Sequence, residues 1–395
     1  MENITAKIKD GMLYLMANGR IDSANSAQTE ALITKLVDEN KGLGIIIDAD
    51  ELQYISSAGL RVVLRLRKSH PELKIINAAA EVYEIFEMTG FTEMIPVEKA
   101  YRKLSVEGCE AIGQGANGMV YRLDPDTIIK VYLNPDSLPD IHRERELARR
   151  AFVLGVPTAI PYDVVKVGTG YGSVFELLNA TSLAKLIKAN PEKLDEAVAM
   201  YVELLQTIHG TTVNPEDMPD MKAIVLNWAD FLKDYLPADK WQKLHDLIDA
   251  VPVEHRMLHG DYHTKNVMLQ GGEALLIDMD TLAQGNPVFE FASVFNACKG
   301  FYLPYTGDMN AECFMGYTVQ TSFDIWDKTI RLYFGTDDEA RLAEIEDKAK
   351  LVGFTRLMRR LIRRQGLETA EGRAQIEYYK NEIETLVEKI DSLIF

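Results

Sequence analysis

The sequence predicts two bodies of different class: an α/β layer over the first hundred residues, then an α+β body of two lobes whose second lobe is mostly helical. Three observations carry this. Strand and helix patterns alternate up to residue 103, a strand–turn–strand pattern with a glycine array comes next, and helical patterning runs nearly unbroken from Thr336 onward. At about 150 residues per domain the 395 residues suit two or three domains, drawn here as 1–103, 104–180 and 181–395.

In the first body, Leu13-Tyr14-Leu15-Met16 alternates as a strand, and the polar stretch Asn18-Gly19-Arg20 reads as the turn that ends it. Over 25–39, Leu32, Ile33, Leu36 and Val37 recur at helical spacing, with Asn25 or Ser26 available as cap. Gly44-Ile45-Ile46-Ile47-Asp48 is short, continuous and β-branched, the pattern of a strand buried on both faces. This order favours an α/β layer.

Next comes Tyr54-Ile55-Ser56-Ser57-Ala58-Gly59-Leu60-Arg61-Val62-Val63-Leu64, in which two hydroxyls stand at a helix start. Either one caps the helix. A phosphate there would meet unpaired amides and the positive end of the helix dipole, while adding a charge of roughly -2 to the surface. Together with Gly19-Arg20-Ile21-Asp22, Ile46-Ile47-Asp48 and Phe86-Glu87-Met88-Thr89-Gly90-Phe91, this segment resembles the STAS domain of anti-sigma-factor antagonists over about 1–103. In that family a serine two positions before Gly-Leu is phosphorylated by a partner kinase, which switches off binding to an anti-sigma factor. Ser57 occupies the position. Many members carry Asp before that serine where this chain has Ser56, so the resemblance leaves Ser57, Ser56 or neither as acceptor.

The second body opens on Ile112-Gly113-Gln114-Gly115-Ala116-Asn117-Gly118-Met119-Val120, a G-x-G-x-x-G-x-V array that suits a dinucleotide turn or a kinase glycine loop. The segment after the array decides between them. Tyr121-Arg122-Leu123, the turn Asp124-Pro125-Asp126 and Ile128-Ile129-Lys130-Val131-Tyr132-Leu133 form strand, turn, strand, whereas a dinucleotide site would open a helix. Alternation puts Lys130 on one face with Ile128 and Tyr132, the face expected to look onto nucleotide. A helix over 140–152 offers Glu144, with Leu147, Ala148 and Ala151 at inward spacing, or Glu146, with Arg149 and Arg150. Glu144 is the better partner for Lys130. The strand over 174–179 leaves the first lobe, and its backbone around Glu176 and Leu178 is placed for the adenine edge.

Leu258-His259-Gly260-Asp261-Tyr262-His263-Thr264-Lys265-Asn266, with Leu275-Leu276-Ile277-Asp278-Met279-Asp280 after it, carries the chemistry. Phosphoryl transfer needs a carboxylate to orient and deprotonate the attacking hydroxyl, and oxygen ligands for Mg²⁺. Asp261, Asn266 and Asp278 supply that set, downstream of a glycine loop and strand lysine in order. These residues resemble the aminoglycoside phosphotransferase-like branch of the protein-kinase fold over about 105–300, with His-Gly-Asp-Tyr-His for that branch's H-G-D-x-H and Ile277-Asp278-Met279-Asp280 in place of D-F-G. Gly285-Asn286-Pro287 and Phe289-Glu290-Phe291-Ala292 match its subsequent structural elements. The resemblance implies Asp261 as base, Asn266 and Asp278 as Mg²⁺ ligands, and Lys130 with Glu144 as phosphate clamp. ATP would lie against Gly113, Gly115, Gly118, Val120, Ile128, Glu176 and Leu178. His259 and His263 read as packing and orienting groups. The chain has no A-P-E signature beyond this point, which speaks against regulation by a phosphorylated activation loop.

Arg356, Arg359, Arg360, Arg363 and Arg364 fall on one helix face, either a solvated stripe or a docking surface for an acidic partner or a substrate's phosphate side. Charge is otherwise acidic: 60 Asp and Glu against 43 Lys and Arg give a net of -17, which disfavours nucleic-acid and membrane surfaces as partners. Nearly all of it lies beyond residue 103. Three cysteines without a C-x-x-C pair suit reduced thiols, and a cytoplasmic location is expected. The expected function is ATP- and Mg²⁺-dependent phosphoryl transfer to a hydroxyl. The acceptor is a STAS serine, here or on a partner, or a small molecule of the aminoglycoside, choline or homoserine type with the STAS domain as regulatory module; the third reading is a nucleotide-sensing anti-sigma-factor-antagonist binding protein without turnover, and an anti-sigma factor or STAS protein is the expected partner.

Overall fold

The structure is a computed structural model, and residues 3–114, 118–305 and 308–395 are described. The chain divides into Met1–Ser105 and Val106–Phe395.

The first unit is built on a five-stranded sheet in sequence order. Ile4–Lys9 pairs antiparallel with Met12–Ile21, which runs parallel to Gly44–Ile55, and that strand runs parallel to Lys74–Ala78. Ile45 and Ile47 are buried in the core of this unit, and Ile46, between them on the strand, is buried as well. Helices Ser26–Glu39, Ser57–Ser69 and Ala80–Met88 complete the layer, burying Ile33, Val63, Val82 and Phe86 against Leu13, Leu15, Ile47 and Ile75. Asn18-Gly19-Arg20 is no turn: the strand continues to Ile21 through register shifts at 16/18 and 19/20, because a bulge absorbs the extra polar residues without ending the ladder. Nor does Asn25 or Ser26 cap the first helix by a side chain. The Asn25 amide instead holds the preceding bend, accepting from the Asp22 amide at 2.9 Å and donating to the Arg20 carbonyl at 2.7 Å.

In the second unit the first lobe is an antiparallel sheet in the spatial order Pro161–Val167, Gly170–Glu176, Thr127–Tyr132, Gly118–Arg122, Ala111–Gln114. Asp124 makes the turn between the second and third of these in chain order, accepting from the Asp126 amide at 2.8 Å and the Thr127 hydroxyl at 2.6 Å. Helix Leu138–Val153 packs alongside through Ile141, Leu147, Ala148 and Ala151. The second lobe is helical, with Leu194–Gly210, Val288–Phe295, Val319–Phe334, Glu339–Arg363 and Ala370–Lys389 around a core that includes Tyr201, Phe291, Phe295, Trp326 and Phe354. The last helix ends at Lys389. Two short strand pairs interrupt the helices. Arg256–Leu258 pairs with Ala283–Gly285, and Val267–Gln270 with Glu273–Leu276. Among the described residues no helix is long and apolar enough to cross a membrane.

Candidate active site

The two strand pairs of the helical lobe place the chemistry. Asp261 lies three residues beyond Arg256–Leu258, and Asp278 two beyond Glu273–Leu276, so both sit on loops held by short β ladders. The loop from His259 to Asn266 is fixed at several points. The buried Glu290 carboxylate accepts from the Gly260 amide at 3.0 Å and from the amide of His259. His259 Nδ1 accepts from the Asp261 amide at 3.3 Å, which leaves Nε2 to donate to the Ile277 carbonyl at 3.1 Å. One imidazole thus ties the Asp261 loop to the segment leading into Asp278. The Asn266 side-chain amide donates to the Asp261 carbonyl at 3.1 Å. Gly260 has φ +78°, and a Cβ there would lie 2.5 Å from the Thr281 carbonyl oxygen, so no other residue fits the turn.

Across from this loop stands Lys130, on the strand Thr127–Tyr132. Its Nζ lies 2.9 Å and 3.2 Å from the two oxygens of Glu144 and 3.0 Å from Asp278 Oδ1. Glu144 is buried, on the inward face of its helix, and also accepts from the Tyr132 hydroxyl at 2.5 Å. Glu146 points the other way and pairs with Arg149 and Arg150. Burial lowers the pKa of the Lys130 ammonium, but Glu144 and Asp278 outweigh it and hold the group charged beyond its usual range. Asp280 shows the excess of negative charge. Burial first, then Asp278 and Glu144, push its carboxyl up to about 6. Asp278 itself has φ +64°, a left-handed conformation that costs a non-glycine residue about 1–3 kcal/mol and recurs at functional sites.

The other residues expected to line the nucleotide are spread along the first lobe. Gly113 and Val120 face each other across its hairpin, and Val120 also pairs with Lys130. Gly118 packs on the Val131 carbonyl so closely that a Cβ would collide with it. Gly115 lies outside the described residues. Ile128 is half-buried opposite Phe175. Glu176 ends its strand, with its amide on the Ile160 carbonyl at 3.0 Å, and the next amide, that of Leu177, donates to Asp126 at 2.7 Å. Leu178 comes next, half-buried. His263 Nε2 is 3.7 Å from Asp261 Oδ2, and its buried Nδ1 lacks a partner among the described residues. Burial pushes its imidazole below the usual range, Asp261 opposing. In the first unit the Ser56 hydroxyl caps the helix, accepting from the Gly59 amide at 3.4 Å, while Ser57 is exposed at the first helical position.

Four groups around this site carry roles that their sequence context does not assign. Alternation from Lys130 puts Tyr132 on the right face, yet only the fold aims its hydroxyl at Glu144. Asp280 and Glu290 stand inside the motifs with no role attached to their charge. Arg356 has no signal beyond its stripe. From helix Glu339–Arg363 its Nη1 donates to the Gly260 carbonyl at 2.8 Å and to Ser293 Oγ at 3.3 Å, and its Nη2 lies 3.8 Å from Asp261 Oδ1. The stripe is therefore not one solvated face: Arg356 is turned to the loop, and Arg359 and Arg360 lie over Phe231 and Phe301.

The donor set of Asp278, Asn266, Asp261 and Asp280 consists of hard oxygens, the chemistry Mg²⁺ takes. Among the described residues no three His, Cys, Asp or Glu side chains form a closed metal cage. An ion held by one or two protein oxygens and completed by phosphates and water needs none.

Comparison with known proteins agrees with this architecture. A family model described as the phosphotransferase enzyme family (APH) matches residues 108–311, and a STAS domain model matches 3–104. A Bordetella bronchiseptica protein named as a candidate anti-sigma factor antagonist, BtrV, is 41% identical over 92 residues, covering 22% of this chain and 78% of its own. Among solved structures, a thermostable mutant of aminoglycoside phosphotransferase APH(4)-Ia in its apo form superposes with TM-score 0.50 at 12% identity, over 71% of this chain and 94% of that one. A ternary complex of a variant of the same enzyme with ADP and hygromycin B gives TM-score 0.50 at 12% identity, over 73% and 97%. At such identity the likeness establishes the fold.

Proposed function

The chain belongs to the phosphotransferase enzyme family and carries a STAS domain ahead of it, and from that premise we propose that it is an ATP- and Mg²⁺-dependent phosphotransferase acting on a hydroxyl. The observation that carries this reading is the double pairing of Lys130 with Glu144 and Asp278, at 2.9 and 3.0 Å, opposite the loop that bears Asp261. The ADP-bound relative of the same fold supports ATP as donor.

In this reading Lys130, oriented by Glu144, holds phosphate oxygens beneath the strand pair Ala111–Gln114 and Gly118–Arg122. Asn266 and Asp278 would hold Mg²⁺, which supplies positive charge for the phosphate oxygens. Asp261 orients the acceptor hydroxyl and takes its proton as the new P–O bond forms and the bond to ADP breaks.

A protein acceptor in this reading is a STAS serine, Ser57 here or its counterpart on a partner; Ser57 is exposed at a helix start while Ser56 is occupied as cap. A second reading, a small-molecule acceptor, is favoured by the guanidinium of Arg356 beside Asp261. Incubating the full chain with labelled ATP and Mg²⁺ and mapping the label separates them. Label on Ser57 that is absent from Asp261→Asn supports the first. An unlabelled protein whose ADP release is stimulated by a hydroxyl compound supports the second. Mg·ATP binding that stabilises the fold with no transfer to any acceptor would contradict the proposal and favour nucleotide sensing.

A further inference from the structure

The side of Asp261 that faces helix Glu339–Arg363 is positive in a chain of net charge -17. That helix treats its basic residues in two ways. In its first half Arg341 and Lys348 pair with Glu344, and Lys350 pairs with Glu382. In its second half, among the described residues, the only carboxylate within 4.0 Å of an arginine is Asp261, 3.8 Å from Arg356, with the buried Glu290 acting on Arg356 from further away; Arg359, Arg360, Arg363 and Arg364 have none within that distance. Arg359 Nε is buried without an acceptor among the described residues. Arg360, one turn beyond Arg356 and stacked 5.4 Å from the Phe301 ring centroid, is held below its usual pKa range by burial and by Arg364 and Arg356, while Asp261 acts in the opposite sense. The helix dipole favours cations only in the last turn, by about 0.3–1 kcal/mol each. It does not account for Arg356 and Arg359, and like charges at this spacing repel. An arginine line of this kind, leading to the group that orients the acceptor, lacks only an anion.

We propose that Arg356 and Arg360 bind an anionic group, a carboxylate or a phosphate, carried by the hydroxyl acceptor itself. The inference rests on the phosphotransferase reading and names its acceptor class: a hydroxy acid or a phosphorylated alcohol, not an amino alcohol or aminoglycoside. Guanidinium groups suit the task because they meet carboxylate and phosphate oxygens with paired, parallel donors.

The test measures ADP release by the full chain with Mg·ATP and four added acceptors: glycerate, glycerol 3-phosphate, glycerol and choline. Glycerate or glycerol 3-phosphate is expected to stimulate release well above glycerol and choline. Arg360→Gln, which removes no loop hydrogen bond, is expected to raise KM for the anionic acceptor about tenfold, the size of one lost charged hydrogen bond, with KM for ATP unchanged; Arg341→Gln, on the paired half of the helix, serves as control. Binding is read separately, as the thermal shift that glycerol 3-phosphate produces in the presence of Mg·ADP. It is expected in the wild type and lost in Arg360→Gln. Stimulation by choline alone, or a shift and KM indifferent to Arg360, would overturn the inference and leave phosphoryl transfer standing. Absence of any Asp261-dependent turnover, with the shift intact, would count against the phosphotransferase reading and not against the anion site.

Discussion

The ammonium of Lys130 lies 3.0 Å from the carboxylate of Asp278, 148 residues further along the chain, and the same ammonium is 2.9 Å from Glu144. One cation on the sheet lobe therefore neutralises an acid of its own lobe and an acid of the helical lobe. With Lys130 and Glu144 both largely enclosed, their energies are coupled more tightly than those of a surface pair.

Lys130→Met should accordingly cost more than the loss of one contact. Among the described residues it leaves the buried Glu144 carboxylate with the Tyr132 hydroxyl alone, and breaking such a pair costs about 3–5 kcal/mol. Adding Glu144→Gln should recover much of that. Urea unfolding of the two single variants and the double variant measures the coupling; additive losses would contradict it.

Glu290 holds the turn before Asp261 through the amides of His259 and Gly260. Glu290→Ala is expected to destabilise the fold by about 1–3 kcal/mol, the cost of leaving the buried amides of His259 and Gly260 without an acceptor. It should also lower kcat with little change in KM for ATP, because the loop that loses its anchor carries Asp261. Unfolding curves and steady-state kinetics check the two effects.

Asp280 gives a pH dependence whose sign comes from its environment. Its carboxyl titrates near 6 in the folded protein against 3.8 as the ordinary value, so between those pH values the folded state binds more protons than the unfolded one. Stability contributed by this group is present below about 4 and is lost as pH rises through 6. Asp280→Asn should therefore stabilise the nucleotide-free protein at pH 7.5, by on the order of 2–3 kcal/mol at ~1.4 kcal/mol per pKa unit, and hardly at all at pH 4. Thermal unfolding at the two pH values measures the difference.

Ser56 and Ser57 should separate cleanly. Ser56→Ala removes the cap on Gly59 and is expected to cost about 1 kcal/mol, whereas Ser57→Ala, exposed and outside the cap, should leave the unfolding midpoint in urea nearly unchanged.

Much of the site's geometry is legible in the chain because it depends on local periodicity. Alternation along Ile128-Ile129-Lys130-Val131-Tyr132 puts Lys130 and Tyr132 on one face, and the helical spacing of Leu147, Ala148 and Ala151 turns Glu144, not Glu146, inward. The order of the glycine array and of the Asp261, Asn266 and Asp278 segments is equally a property of sequence. What is hidden depends on where elements meet. Periodicity shows that Arg356 and Arg360 share a helix face, but not that the face meets Gly260 and Asp261. Likewise Asn18-Gly19-Arg20 has the composition of a turn, and only pairing with Gly44–Ile55 reveals that the ladder runs through it.

If Asp261 is the base of a phosphotransferase, the transfer of label from γ-labelled ATP, measured with Mg²⁺ and with EDTA, must differ between the wild type and Asp261→Asn. Transfer is expected to depend on Mg²⁺ and to fall by about 10²–10⁴-fold in Asp261→Asn, with ATP affinity and the unfolding midpoint little changed. Transfer of equal rate in the two proteins, or of equal rate with and without Mg²⁺, would contradict it.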